Sequence, residues 1–441
     1  MSEMGDEAVK HLAALIRIDT TNPPGNETPA AEYLAELLNG AGLPPVLVGA
    51  TPDRKNVVAR VRGDGSKAPL LLGAHLDVVP AEREQWRHSP FGGEIHDGYL
   101  WGRGAIDMKH MAVMSALVLM RLQREKVKLT RDVIFAGVAD EEAGCDFGSK
   151  FLVDHHPDLV KAEFALGEAG AFTVHIGGKA IYPIQVAEKG TVWMKLRAVG
   201  KPGHGSLPKE NNAVTRLAEA IAKLGRARLP HHRTAIVDGY LRAIAATQKF
   251  PQSLLLRNLH RRKIADLVLK KLPDRGVAAA LSAVLSNTAV PTVLRAGGKV
   301  NVVPGSAEAE VDGRSLPGQT AADLIAEVKR VIGEDVEIEV LRDMPPVEHQ
   351  PASALWDVMQ AALERGHPGA AVVPYLAPGF TDAKNWSRLG CRSYGFMPLQ
   401  FPDDGVKFAD LFHGHDERIP VEGLKWGVEL LYGVVRDFAS G

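Results

Sequence analysis

The chain has 441 residues, 45% of them hydrophobic and 6% aromatic, and its 52 basic residues against 53 acidic ones leave a net charge of −1. That length exceeds what one hydrophobic core organises, so two domains are expected. The charge balance gives no electrostatic reason for a nucleic-acid or membrane partner, and Cys145 and Cys391, outside any CxxC pattern, exclude a disulfide framework or a cysteine-rich metal site.

In chain order, MSEMGDEAVKHLAALI carries acids early and too short an apolar run for a signal peptide or a membrane span, so a cytoplasmic location is expected. Thr28 and Pro29 read as N-cap and first-turn proline of a helix running to about Asn39, with Gly40 ending it. Apolar runs at 56–62, 70–74, 132–139 and 164–167 read as strands, and 108–126 carries the longest helical pattern of this half. The alternation predicts an α/β layered domain. From about Ala187 the texture changes to an alternating strand (TVWMKLRAVG), a Gly/Pro/His turn at 201–208 and a helix over 212–226. A strand at 307–315, a helix at 321–332 and a strand at 336–341 follow. This strand-helix-strand unit predicts a smaller α+β domain over 187–342, inserted into a discontinuous domain of 1–186 and 343–441. Residues 230–295 interrupt it with helical patterns (IADLVLKKL, VAAALSAVL). They read as an elaboration packed on the small domain, with a substrate-lining or oligomer-contact role as the alternative. Past Pro346 a helix at 352–365, strands at 371–374 and 392–397, and a helix at 421–438 return the chain to the first domain.

The candidate chemistry begins at LLLGAHLD, where His75 and Asp77, two apart on a strand, project to the same side. An imidazole backed by a carboxylate is how a metal-ligating histidine is usually oriented. Asp107, the doublet Glu141 and Glu142, Glu168 and His413 all fall where strands end or helices begin, the place where ligands bind in open α/β sheets. Singly, each has a plainer reading. His75 could be a histidine satisfied by a carboxylate, Asp107 a cap for the helix from Met108, and the doublet a solvated loop. Jointly they supply donors for two zinc-type ions and one spare carboxylate for proton transfer. No GxSxG elbow, Walker A loop, HExxH or GxGxxG fingerprint competes.

The segments GAHLDVVPAE, WRHSPFGGEIHDGYLWGRGAIDMK, ADEEAG, GKPGHGSLP and FHGHDERIP, in this order, resemble those of the dinuclear zinc M20 peptidases, among them carboxypeptidase G, succinyl-diaminopimelate desuccinylase, acetylornithine deacetylase and aminoacylase. The resemblance implies a zinc-exopeptidase-like catalytic domain, a mixed sheet flanked by helices, with an inserted lid and dimerisation domain. It implies two Zn2+ ions, with Co2+ or Mn2+ as possible substitutes. His75 and Glu168 would hold one, Glu142 and His413 the other, and Asp107 would bridge them, with His415 the rival to His413. Glu141 would be the general base acting on a water between the ions, and Asp77 would steady His75. The bond Asp107–Met108 would be cis. His204 would stabilise the oxyanion, reaching the partner's active site in a homodimer formed by the inserted domains.

Glu168 resembles the carboxypeptidase and deacylase branch, so the expected substrate is an amide with a free carboxylate, a small peptide or an N-acyl amino acid. Arg314 is the expected carboxylate anchor, assisted by Asn212 and by Gly379 and Thr381 of the loop 378–382, where Phe380 replaces the usual small residue and suggests an apolar wall. The long interruption is similar to that of longer members cleaving amino acids with greasy acyl groups. A dipeptidase of the same family and a catalytically silent binding protein are the rivals, and the retained Glu141 argues against silence.

Overall fold

The runs LLLGAH and VIFAGV lack polar alternation, the pattern of strands covered on both faces, and Leu70–His75 and Val133–Val138 are buried at every position. They pair in parallel, with His75 opposite Val138, and Phe164–Gly167 joins Leu70–His75 in parallel on its other side. Arg392–Gly395 extends the parallel set, while Asn56–Val61 and Lys179–Glu188 run antiparallel to their neighbours. The sheet is therefore mixed. Its central strands all deliver their C-terminal ends to one edge, so His75, the 139–142 turn and Glu168 emerge together.

The computed structural model describes residues 3–272 and 275–441. This first sheet belongs to a compact unit of Met1–Val186, His349–Tyr375 and Thr381–Gly441. On one face lies the helix Lys109–Arg124, packed with Glu3–Ile16 and Val421–Ser440. It buries Met111, Val113, Met114, Leu117, Val118, Leu119 and Leu122. At about 1.5–3 kcal/mol per large apolar side chain, that burial locks the helix and with it Asp107, two residues before its start. On another face Leu71, Ile134, Val138, Leu152, Val160 and Trp386 form a second cluster.

Two local readings of the sequence are corrected here. The helix Thr28–Gly40 is flanked by Glu27, and Thr28 does not cap it. Thr28 Oγ1 instead donates to Pro52 O at 2.7 Å, and the Glu27 carboxylate is taken by Arg54. Nor does Asp107 cap the next helix, whose N-cap position is Met108 with no side-chain bond.

The second unit comprises Ala187–Glu348 with Leu376–Phe380. Its antiparallel sheet has the strand order Thr288–Ala296, Ser306–Ser315, Gly190–Val199, Glu337–Met344. Helices Ala213–Arg226 and Ala321–Ile332 cover one side, burying Val192, Met194, Leu196, Leu217, Leu324 and Val328. In SAEAEVDGRS, Ala307, Ala309 and Val311 are buried while Glu308, Glu310, Asp312 and Arg314 take the opposite face. The helical interruption holds Ala235–Thr247, Gln252–Arg257, Arg262–Lys271 and Arg275–Leu285. It ends earlier than 295, because Thr288–Ala296 is an edge strand with a register shift between Pro291 and Val293. A proline inside TAVPTVLRA hides the strand in the sequence, since proline is tolerated only at edges and bulges. No helix among the described residues is long and apolar enough to cross a membrane.

Candidate metal centre

His75 closes its strand fully buried, and its Nδ1–H donates to the backbone carbonyl of Asp77 at 3.0 Å. That bond fixes the tautomer and leaves the Nε2 lone pair facing the carboxylates. Nε2 lies 3.1 Å from Asp107 Oδ1 and 3.7 Å from Glu168 Oε2. The sequence reading gave the orienting role to the Asp77 carboxylate, yet its Oδ1 stands 3.6 Å from His75 Nδ1. The carboxylate has other work. It accepts the backbone N–H groups of Glu141 and Glu142, each at 3.1 Å, and the Asn22 amide at 2.8 Å.

The acidic doublet is thereby held from behind. After the strand Val133–Val138 the chain turns through Asp140 at φ 67° into the short turn Glu141–Ala143, a left-handed step that a short aspartate tolerates. The two glutamates then diverge. Glu141 offers a carboxylate oxygen to a group with His75 and Glu168, and Glu142 to a group with His75 and Asp107, the atoms of each group lying within 4.8 Å of one another.

Asp107 and His413 are brought in by a strand pair. Arg418–Pro420 runs antiparallel to Tyr99–Trp101, which lays the loop before Arg418 beside the loop after Trp101. Glu417 accepts backbone N–H groups of Ile106 and Asp107 at 2.8 and 3.2 Å and pairs with Arg103 at 2.7 Å. His413, at φ 56°, places Nε2 at 2.9 Å from Asp107 Oδ2 and 3.1 Å from Glu142 Oε2. The bond Asp107–Met108 is cis.

Four carboxylates and two imidazoles thus converge, with His75, Asp107, Glu141 and Glu168 buried and the His413 imidazole closing the outer side at 46% exposure, and the crowding shifts their proton affinities. Burial, with the nearby charges of Glu168 and others, holds the Glu141 carboxyl well above its usual range. Burial and the charge of Asp107 push Glu142 up to about 7. Burial also lifts Glu168 to about 8 against the pull of His75. For His413 burial acts downward, but Asp107 and Glu142 outweigh it and raise the imidazole to about 10. His75 is likewise raised, by Asp107, Asp77 and Glu168 against the effect of burial. Glu142 Oε1 and Glu168 Oε1 are buried without a hydrogen-bond partner, an arrangement that costs stability unless a cation compensates it. Mixed imidazole and carboxylate donors with orphaned oxygens fit a divalent zinc-type ion.

Around this cage is a polar network that sequence reasoning missed. Asn22 bridges Asp77 and Asp140, and buried Arg54 joins Glu27 at 2.5 Å to Asp140 at 2.9 Å. Asp382, buried and bonded by Ser149, is raised to about 6 by burial. Arg103 and Glu417 lie inside WGRGAIDMK and FHGHDERIP, where glycine or charged neighbours gave no local sign of their burial. Thr381 is buried and accepts the Ala383 N–H, while nothing surrounds the Cβ position of Gly379.

The remaining predicted residues are carried by the second unit. His204 sits exposed in the pair Gly203–His204 with Val302–Val303, its Nδ1 2.7 Å from Ser206 Oγ. The Asn212 side chain caps its helix through Val214 N–H. Arg314 has its fork engaged: Nε and Nη2 reach Asp312 at 2.8 and 3.2 Å, Nη1 reaches Thr191, and the guanidinium stands 5.3 Å from the Phe380 ring centre.

Comparison with known proteins agrees with this geometry. Residues 71–437 match the family described as Peptidase family M20/M25/M40. The chain is 28% identical to the Xenopus tropicalis N-fatty-acyl-amino acid synthase/hydrolase PM20D1, over 86% of this chain and 74% of that one. It is 25% identical to mouse aminoacylase-1, over 96% and 93%. Among solved structures, the M20 family metallo-carboxypeptidase Sso-CP2 from Sulfolobus solfataricus superposes with a TM-score of 0.73 at 19% identity, covering 99% of each chain. Human carnosine dipeptidase 1 gives 0.71 at 16%, over 99% and 96%. The chain belongs to the M20/M25/M40 peptidase family, and it is a hydrolase of a metal-dependent class.

Proposed function

We propose that this chain hydrolyses the amide bond of an N-acyl amino acid that carries a free carboxylate, using two divalent ions. The observation that carries the reading is the cage itself, with His75, Asp107, Glu142, Glu168 and His413 meeting in space and Glu141 beside them. Asp107, His75, Glu168, Glu142 and His413 would hold the ions, with His75 and Glu168 on one side of Asp107 and Glu142 and His413 on the other. Bound there, zinc-type ions would polarise the amide carbonyl and acidify a water. Glu141 would be the proton carrier, taking a proton from the attacking water and giving it to the leaving nitrogen, a role suited to a carboxyl whose burial raises its proton affinity. Asp77 keeps the doublet and His75 in register through its carboxylate and its carbonyl.

His204 supplies a donor for the oxyanion, in a homodimer made by the inserted unit. Arg314, with Asn212, Gly379 and Thr381, receives the substrate carboxylate, which must displace Asp312 from the guanidinium fork. Phe380 over Arg314 favours an apolar acyl or side chain next to that carboxylate. The relatives named for N-fatty-acyl amino acids and for aminoacylase support an acyl substrate over a dipeptide.

The test is a panel of N-acetyl, N-succinyl and long-chain N-acyl amino acids beside dipeptides, assayed with wild type and Glu141→Gln. Wild type cleaves acyl amino acids when loaded with two ions per chain, and the variant keeps the ions while losing hydrolysis by about 10^2–10^4-fold. Cleavage of dipeptides alone would sink the acyl assignment, and a stoichiometry of one ion would sink the paired-ion mechanism.

A further inference from the structure

The balanced charge of the whole chain conceals one segment that departs sharply from it. Residues 249–271 hold seven lysines and arginines against a single acid, Asp266. All seven basic residues are exposed. Asp266 is already engaged by Arg228 at 2.7 Å, so it does little to neutralise the rest. Among the described residues, Lys249, Lys263, Lys270 and Lys271 form no ion pair.

The same segment turns apolar side chains outward. Phe250 is 79% exposed, Leu254 53%, Leu267 52% and Leu255 40%. The helix Gln252–Arg257 has no buried residue, and Arg262–Lys271 buries only Ala265 and Leu269. The helix QSLLLR packs beside Ala235–Thr247, yet that contact leaves Leu254 and Leu255 turned outward. Single exposed leucines are ordinary, but a phenylalanine and three leucines exposed within 18 residues of chain, interleaved with seven exposed cations, are a concentration that burial within this chain does not account for.

The pairing of chemistries selects the occupant. Nucleic acid would answer the cations and leave Phe250 and the leucines in water. A second copy of this surface would bring like charge against like. An anionic bilayer answers both, with phosphates for the basic side chains and the headgroup–acyl boundary for the apolar ones. We propose that residues 249–271 dock this protein on an anionic lipid surface, inserting Phe250, Leu254, Leu255 and Leu267. The inference stands on charge and exposure and does not depend on the catalytic reading.

Co-sedimentation of the full chain with phosphatidylcholine vesicles, with and without phosphatidylglycerol, tests it. Wild type should bind the anionic vesicles and lose that binding as salt is raised. The variant Phe250→Ser/Leu254→Ser should weaken binding by roughly tenfold, and Lys263→Glu/Lys270→Glu/Lys271→Glu by roughly 100-fold or more. Circular dichroism and hydrolysis of a short soluble substrate check that both variants stay folded. Failure of wild type to bind anionic vesicles overturns the proposal. So does equal binding to neutral vesicles, or binding that responds to the charge reversals and not to the loss of Phe250 and Leu254, which would mark a general polyanion site.

Discussion

Asp77→Ala tests how the centre is held together. In wild type its fully buried carboxylate answers three donors: Asn22 Nδ2 and the N–H groups of Glu141 and Glu142. Truncation leaves all three without their acceptor. At about 1–3 kcal/mol for each abandoned buried donor, added with allowance for coupling, the loss is roughly 3–5 kcal/mol, a large share of a typical domain's stability. The acidic doublet also loses its register, so ion affinity should fall about 10–100-fold. Asp77→Asn retains one acceptor oxygen and should fall between. Denaturant unfolding of the ion-free protein reads the first effect, and chelator competition reads the second. The sign with pH is also set. Burial acts to raise the Asp77 carboxyl, but His75, Asn22 and the Glu141 N–H outweigh it and hold it below its ordinary value of 3.8. Its contribution is therefore present above that value and is lost only as pH falls through the lower folded one. An Asp77→Ala protein with unchanged unfolding midpoint and wild-type affinity for both ions would refute the reasoning.

Other perturbations probe different parts. Arg54→Met should cost about 3–5 kcal/mol, because Glu27 and Asp140 lose the buried guanidinium they share; a melting temperature within a degree or so of wild type would contradict this. Zinc uptake at pH 7 should expel more than one proton per chain, since His413 and Glu168 sit near 10 and 8 and His75 is raised. Calorimetry in buffers of differing ionisation enthalpy measures the number, and a value of zero would show that the ions bind elsewhere. For the ion-free protein, the raised His413 contributes stability that is full below 6.5 and is lost as pH rises through about 10. Thermal melts of ion-free chain should therefore decline over that window while ion affinity climbs. Glu417→Gln should weaken ion binding without removing a ligand, by loosening Asp107 and Arg103.

Much of the sheet was legible because unbroken apolar runs end in chemistry-bearing residues: LLLGAH ends at His75 and FALG leads to Glu168. Parallel pairing then forces those ends to one edge, a consequence of topology rather than of any local pattern. The inserted unit's strands were legible from alternation in TVWMKLRAVG and SAEAEVDGRS, whereas Pro291 concealed Thr288–Ala296. The network of Asn22, Glu27, Arg54, Asp77 and Asp140 left no trace in spacing, because its hydrogen bonds join loops up to 118 residues apart. Similarly, Glu27 in place of Thr28 beside the helix start reflects a distant arginine, which propensity cannot sense. The pairing of Arg314 with Asp312 follows from the two-residue period, which puts both side chains on one face.

The pairing of Arg418–Pro420 with Tyr99–Trp101 sets an order on biosynthesis. Domains fold as the ribosome emits them, N-terminal parts first, yet His413 and Glu417 reach Asp107 only through a strand that follows them. A nascent chain of 400 residues holds His75, Glu142, Glu168 and Asp107 with neither the second imidazole nor the acid that steadies Asp107. Synthesis must pass Pro420 before Arg418–Pro420 can pair with Tyr99–Trp101, so His413 and Glu417 join Asp107 only after the other residues of the centre have emerged.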